Sequence, residues 1–153
     1  MKLIITQQPG ISESEIEIRY SDLDNELQNL ITLIKKGVHY IPCTDNDTGI
    51  KYRLPVKDIV YVETIDRKTF LYTASAMYRS EMKLHQLLDK LETFGFAQAN
   101  KSCVVNLDTV VGLKMLFNRK AEITLSSGEK ISVSRTYIPD IRNAFDKDRG
   151  NMQ

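Results

Sequence analysis

The 153-residue chain has only two cysteines and two histidines, and no apolar run of more than a few residues. Cys43 and Cys103 are too few for a disulfide framework and have no CxxC spacing. That argues against a zinc or iron–sulfur site and for reduced thiols in a cytoplasmic chain. With no run of about 20 apolar residues and no signal-peptide core, the sequence offers neither a membrane span nor an export signal. An enzyme needs convergent acids, bases or nucleophiles. His39 and His85 are the only imidazoles, and no catalytic or phosphate-cradling motif accompanies them. The expectation is therefore no enzyme activity and no cofactor.

What is present suits one folded domain. Hydrophobic residues at 42% and charged residues at 27% are near globular averages, which excludes a disordered or low-complexity chain. The net charge of +1 conceals an asymmetry. Residues 1–50 carry 4 Lys+Arg against 8 Asp+Glu, and residues 51–153 carry 17 against 12. The larger part is thus suited to a polyanion, although a solvated mixed surface explains a modest excess equally well.

The N-terminus shows two strand patterns, at 2–6 and 15–20, around a Pro9-Gly10 turn signal. In the second, Ile16, Ile18 and Tyr20 alternate with Glu15, Glu17 and Arg19. A helix capped by Ser21 follows, with Leu23, Leu27, Leu30, Ile31 and Ile34 on one face and a stop at Gly37. This β-β-α unit is too small to stand alone, so its leucine stripe needs the rest of the chain or another subunit. From there the pattern is strands at 38–41, 50–54, 59–63, 69–73, 76–79, 103–107, 109–116, 121–125 and 130–133, separated by turn residues. That is an antiparallel, mainly β arrangement. Two helices interrupt it. One is capped by Ser80 and runs through Leu84, Leu87, Leu88, Leu91 and Phe94 to Gly95. The other starts near Thr136 with Pro139 in its first turn. A polar tail follows Asp146.

Many basic residues fall at strand ends or turns: Arg67, Lys68, Lys101, Lys114, Arg119, Lys120 and Arg135. Loops on a rigid sheet are common mounts for recognition side chains. Lysines there can neutralise phosphates, and an arginine can present its fork to guanine O6 and N7. Taken singly, each such residue is more often a solvated turn charge than a DNA contact. His85, off the leucine stripe, reads as a surface histidine, His39 as a packed or edge histidine, and Cys103 as a small buried hydrophobe.

The ordered segments DIVYVE (58–63), TFLYT (69–73), FAQANKSCVVNL (96–107) and GEKISVSRTY (128–137) together resemble the LytTR DNA-binding domain of bacterial transcription regulators over residues 46–146. The resemblance implies an elongated antiparallel β fold with short flanking helices, preceded by the β-β-α extension at 1–45 and followed by a tail at 147–153. It implies a sequence-specific regulator that inserts loops into successive major grooves of double-stranded DNA, at paired direct repeats, with two chains side by side. Carried over by position, it points to Arg67, Lys68 and Thr69 in one loop, Lys101 and Ser102 in a second, and Arg135 as the base reader. Lys114, Arg119 and Lys120 would then be phosphate neighbours. Thr69 and Lys101 depart from the residues common in the family, where basic or histidine residues and asparagine stand. Asn106 also matches, with backbone bonding in a tight turn as its structural alternative. The hydrophobic family positions, Ile59, Tyr61, Leu84, Leu87, Leu88, Leu91, Phe96, Val105, Leu107, Ile123, Leu125 and Val133, read as core.

Residues 1–45 are too few for a phosphoacceptor receiver. The chain therefore resembles the compact receiver-less branch, in which a small membrane protein encoded nearby is an implied partner. The competing reading is an interaction module that has lost DNA affinity and works through its N-terminal helix on a membrane or regulatory partner.

Overall fold

The computed structural model describes residues 2–150, with the side chains of Val38 and of residues 148–150 left aside. Residues 2–24 have no regular secondary structure and are almost entirely exposed. The two N-terminal strands expected at 2–6 and 15–20 are therefore not formed. Most of their apolar residues are exposed, Ile4 at 73% and Ile16 at 72%, with Ile18 only partly buried. The helix α1 covers Asn25–Val38, starting later than expected because Asp24 and not Ser21 caps it. The Asp24 side chain accepts a hydrogen bond from the Leu27 N–H at 2.8 Å, satisfying one of the orphan donors of the first turn.

Ten strands follow in antiparallel ladders. A seven-stranded sheet is built from β1 (Tyr40–Asp45), β2 (Lys51–Pro55), β3 (Tyr61–Ile65), β4 (Lys68–Tyr72), β5 (Met77–Ser80), β6 (Phe96–Asn100) and β7 (Cys103–Asn106). Their order is β2-β1-β5-β4-β3-β7-β6. A three-stranded sheet consists of β8 (Val110–Met115), β9 (Ala121–Leu125) and β10 (Lys130–Val133), in the order β10-β9-β8. The hairpin β1–β2 runs across the boundary expected between residues 45 and 46. Strand β6 was not among the expected strands. Its FAQAN sequence has two alanines and two amides where β-branched residues signal a strand, and tertiary pairing with β7 overrides that weak propensity.

Alternation divides the core into two layers. On one face of the large sheet, Ile59, Val62, Leu71 and Val104 pack with Leu87 and Leu91 of α2 (Leu84–Leu91). On the other, Val60, Ala99, Cys103 and Val105 meet Ala121, Ile123, Leu125 and Val133 of the small sheet and Ile138 and Ile141 of α3 (Ile138–Gly150). Most of the expected core residues are buried, and Tyr61, Leu84, Leu88 and Leu107 pack at its margin. Each fully buried leucine or isoleucine contributes about 1.5–3 kcal/mol relative to exposure. Ser80, expected to cap α2, instead accepts from the Met82 N–H at 3.1 Å. Lys83 holds the N-cap position, and Gln86 Oε1 accepts from the Lys83 N–H at 2.9 Å. Helix α3 continues to Gly150, past the end expected at Asp146.

The two thiols lie in opposite layers, Cys43 with the α2 face and Cys103 with the small sheet, so they cannot pair within one chain. Burial, with Glu63 nearby, pushes the Cys103 thiol up to about 12.

Helix α1 is tied down by a buried charge. Lys36, 1% exposed, donates to Asn106 Oδ1 at 3.1 Å and to Asp108 Oδ2 at 2.5 Å, and its ammonium lies 5.5 Å from the centre of the Phe96 ring. Asn106 in turn donates to the Ile59 carbonyl at 2.9 Å and accepts from the Asp108 N–H at 3.2 Å.

Three outcomes are expected. Truncating Asn106 to Ala leaves Lys36 and the Ile59 carbonyl short of partners and should cost about 2–4 kcal/mol in urea unfolding. Asp108→Asn, at a largely exposed position, keeps an acceptor but removes the carboxylate beside a buried ammonium and should cost about 1–2 kcal/mol, less than Asn106→Ala. Equal losses would contradict the assignment of Asn106 as the hub. The Cys103 thiol is protonated more readily folded than unfolded, so its contribution is present below the ordinary value of 9.0 and is lost as pH rises toward about 12. The fall in stability across that window should be shallower in Cys103→Ala, whatever its absolute stability.

Candidate nucleic-acid interface

One end of the large sheet is made of two two-residue hairpin turns side by side. The first joins β3 to β4. Ile65 pairs with Lys68, leaving Asp66 and Arg67 as the loop, with φ of 50° and 65°. Positive φ at both central residues defines a type I′ turn, whose twist matches that of the strands. Asp tolerates this region, but Arg67 occupies a place where glycine is usual, so the turn holds an exposed arginine in a strained backbone.

The second turn joins β6 to β7, where Asn100 pairs with Cys103 and Lys101 and Ser102 form the loop. Asn100 governs it. Its Oδ1 accepts from the Ser102 N–H at 2.9 Å, and its amide donates to the Ser132 carbonyl of β10 at 2.9 Å. Gln98 donates to the Asn100 carbonyl at 3.0 Å across a register shift that bends β6. The Thr64 N–H donates to the Ser102 carbonyl at 2.8 Å, which fixes the two turns relative to each other.

Between these turns and the start of α2 lies a groove of about 530 Å³. It brings together Arg67, Thr69, Lys101 and Ser102 of the sequence candidates and adds Lys83, His85 and Gln98. Three of its lining residues are cations and none is a carboxylate. Helix α2 also has no acid in its first turn, so its positive end contributes to the same field. Thr69 is 5% exposed and lies in the groove wall without standing out from it. Lys68 is exposed at the start of β4.

Arg135 and the β8–β9 hairpin do not line this groove. The Ser134 N–H donates to the Ala99 carbonyl at 2.9 Å, so the chain entering Arg135 is pinned to the edge of β6. Arg135 is exposed and opens a 3-10 turn at Arg135–Tyr137. Val133 pairs with Ala121, and Ala121 with Met115, so the β8–β9 tip is at the same end of the small sheet as Arg135. That tip carries Arg119, at φ 61°, and Lys120, with Phe117 fully exposed between them and Lys114. Lys114 stands opposite Glu122 in the ladder.

Lys83, Gln98 and Asn100 are not among the candidate contacts that the sequence marks, and His85 reads there as a surface histidine. An asparagine two residues before a serine between apolar segments is an Asx-turn signal that could have found Asn100. Lys83 and His85 join the site only through the packing of α2. Asn106, whose DNA role had a structural alternative, is 2% exposed and engaged on all sides. His39 is exposed with its ring 4.9 Å from that of Phe94. Among the described residues no cluster of metal-ligating side chains occurs, and no helix is long and apolar enough to cross a membrane.

The sequence profile described as the LytTr DNA-binding domain matches residues 51–146. The chain is 25% identical over 130 residues to the sensory transduction protein LytT of Bacillus cereus, an alignment covering 85% of this chain and 48% of that protein. It is 27% identical over 110 residues to the sensory transduction protein LytR of Streptococcus mutans, covering 72% and 44% respectively. It is 28% identical over 89 residues to the transcriptional regulatory protein YpdB of Escherichia coli K12, covering 58% and 36%. The chain thus spans about half the length or less of these relatives. A solved LytTr DNA-binding domain from Bacillus cereus superposes with a TM-score of 0.63 at 19% identity, covering 71% of this chain and 98% of that one. That likeness shows the fold.

The strain at Arg67 can be measured apart from any ligand. Arg67→Gly should raise unfolding stability by about 0.5–1 kcal/mol, since relief of the left-handed backbone outweighs the entropy that glycine adds to the unfolded chain. A loss of stability would mean that the arginine side chain supports the turn.

Proposed function

The chain belongs to the LytTr DNA-binding domain family, and from that premise we propose that it is a non-enzymatic transcription regulator that grips duplex DNA with the turn-bearing end of its β scaffold. The observation that carries this reading is the pair of interlocked hairpin turns, Asp66-Arg67 and Lys101-Ser102, on a groove lined by cations without a carboxylate. Two preformed turns joined by the Thr64–Ser102 hydrogen bond suit insertion together into one groove of the duplex, with the Arg135 loop making the next entry. Their backbones are set by hydrogen bonds before DNA arrives, which lowers the ordering cost of binding.

In this reading Arg67, Lys68 and Lys101 engage phosphates or base edges from the two turns, with Ser102 and Thr69 as short-range hydrogen-bond partners. Lys83 and His85 add to the anion-binding wall. Arg135, held at the β6 edge by the Ser134–Ala99 bond, is the base reader, because a positioned guanidinium can donate two parallel bonds to guanine O6 and N7. Lys114, Arg119 and Lys120 reach flanking phosphates. Paired direct repeats would seat two chains on one side of the duplex, with residues 51–146 as the DNA-binding part and the segment before them available for contacts between chains or with a membrane-protein partner.

The test is competition binding at two salt concentrations, using DNA from upstream of the protein's own gene and a random-site library. Wild type should prefer specific sites and lose affinity steeply with salt. Arg135→Ala should cost about 1–3 kcal/mol at the specific site and flatten discrimination. Replacing Lys114, Arg119 and Lys120 together should reduce the salt slope without changing preference. Absence of wild-type binding to both DNA sets would contradict the proposal.

A further inference from the structure

We propose that residues 15–20 of one copy add as a strand to the free edge of β2 in a second copy, so that two chains exchange N-terminal strands in a two-fold dimer. The segment is strand-like in sequence but has no ladder partner among the described residues. Ile16 is 72% and Tyr20 55% exposed. Its acids and apolars already alternate, and Arg19 bonds Glu17 at 3.1 Å, the i,i+2 contact that extended backbone places on one side.

The receiving edge has the complementary pattern. Among the described residues, strand β2 ends the seven-stranded sheet with β1 as its one neighbouring strand, and Lys51, Tyr52 and Arg53 are all exposed. Such an edge presents peptide groups ready to pair with another strand. Tyr52 shares its face with buried Leu54 and meets Tyr78 with ring centres 5.6 Å apart. Lys51 and Arg53 occupy the other face, where Arg53 lies 4.8 Å from the centre of the Tyr40 ring. One parity of pairing sets Ile16, Ile18 and Tyr20 on the Tyr52 and Leu54 face and, at the same time, Glu15 and Glu17 beside Lys51 and Arg53. Slipping by one residue would set acids against the apolar face and isoleucines against the cations.

Charge complementarity identifies the occupant. Residues 11–24 carry Glu13, Glu15, Glu17, Asp22 and Asp24 against Arg19 alone, whereas β2 carries two cations and no acid. Within one chain the segment stands off the edge, separated from β1 by the 14 residues of α1. A second copy supplies both segment and edge, so the contact is made twice about a two-fold axis. Pairing would also cover the exposed apolar residues of the segment.

The experiment is light-scattering mass measurement on three full-length proteins: wild type, Glu15→Lys/Glu17→Lys, and Lys51→Glu/Arg53→Glu. Wild type should have twice the 17.5 kDa chain mass. Each variant alone should halve to the chain mass with unchanged circular dichroism, and an equimolar mixture should return to the dimer mass, since the two reversals complement each other. A monomeric wild type, variants that stay dimeric, or a mixture that stays monomeric would each overturn the proposal. If either variant loses its circular dichroism, a tagged Ile18→Cys chain is oxidised together with an untagged Tyr52→Cys chain. A covalent link between them supports the exchange. No such link, or an internal disulfide forming instead when both substitutions are placed in one chain, overturns it. The exchange is a property of the free protein: chains on paired direct repeats lie in one orientation and engage DNA without the two-fold contact, so the outcome is independent of the DNA-binding proposal.

Discussion

A single buried ammonium group organises the junction of helix and sheets. Lys36 leaves solvent at a substantial desolvation cost, which a carboxylate, an amide oxygen and an aromatic face offset together. Because Asn106 also holds the Ile59 carbonyl and the N–H of Asp108, one side chain links α1, the lead into β3, the end of β7 and the turn toward β8. Gly95 belongs to the same arrangement. It ends the helical turn at a left-handed φ of 82°, and a Cβ there would sit 3.7 Å from the lysine nitrogen. The node closes one end of β7, and the Lys101-Ser102 turn opens the other.

From that fixed strand the polar end of the sheet inherits its geometry. Hydrogen bonds donated by Thr64 and Gln98 and one accepted by the Asn100 side chain set the second turn, and the ladder of β3 with β4 sets the first. Carboxylates are kept out of the groove wall. Glu63 lies away from it, its carboxyl raised above the usual range by burial and by nearby Glu129. The scaffold thus supplies order and the loops supply charge, a division that lets loop residues vary without loss of the core.

Much of this was legible in the sequence where periodicity and burial agree. Strand patterns at 59–63, 121–125 and 130–133 marked strands that form at or overlapping those positions, and the leucines of 84–91 marked α2. The LytTR resemblance, carried by DIVYVE, NKSCVVNL and VSRTY, pointed to the family that the profile match shows. Three features were not legible. Residues 96–100 become a strand through pairing with β7 and not through their own propensity. A lysine on an amphipathic helix reads as solvated, and only its distant partners 70 and 72 residues on reveal that Lys36 is buried. The patterns at 2–6 and 15–20 are those of strands, but a strand requires a partner edge, which lies outside what local sequence can specify.

The most direct measurement is mapping of backbone amide chemical shifts while the protein is titrated with duplex DNA carrying a preferred site. Perturbations should concentrate at Arg67, Lys68, Lys101, Ser102 and Arg135, with the Lys51–Pro55 edge little changed. Saturable shifts centred on that edge or on α1, with the two hairpin turns silent, would contradict the assignment of the turn-bearing end as the DNA-binding face.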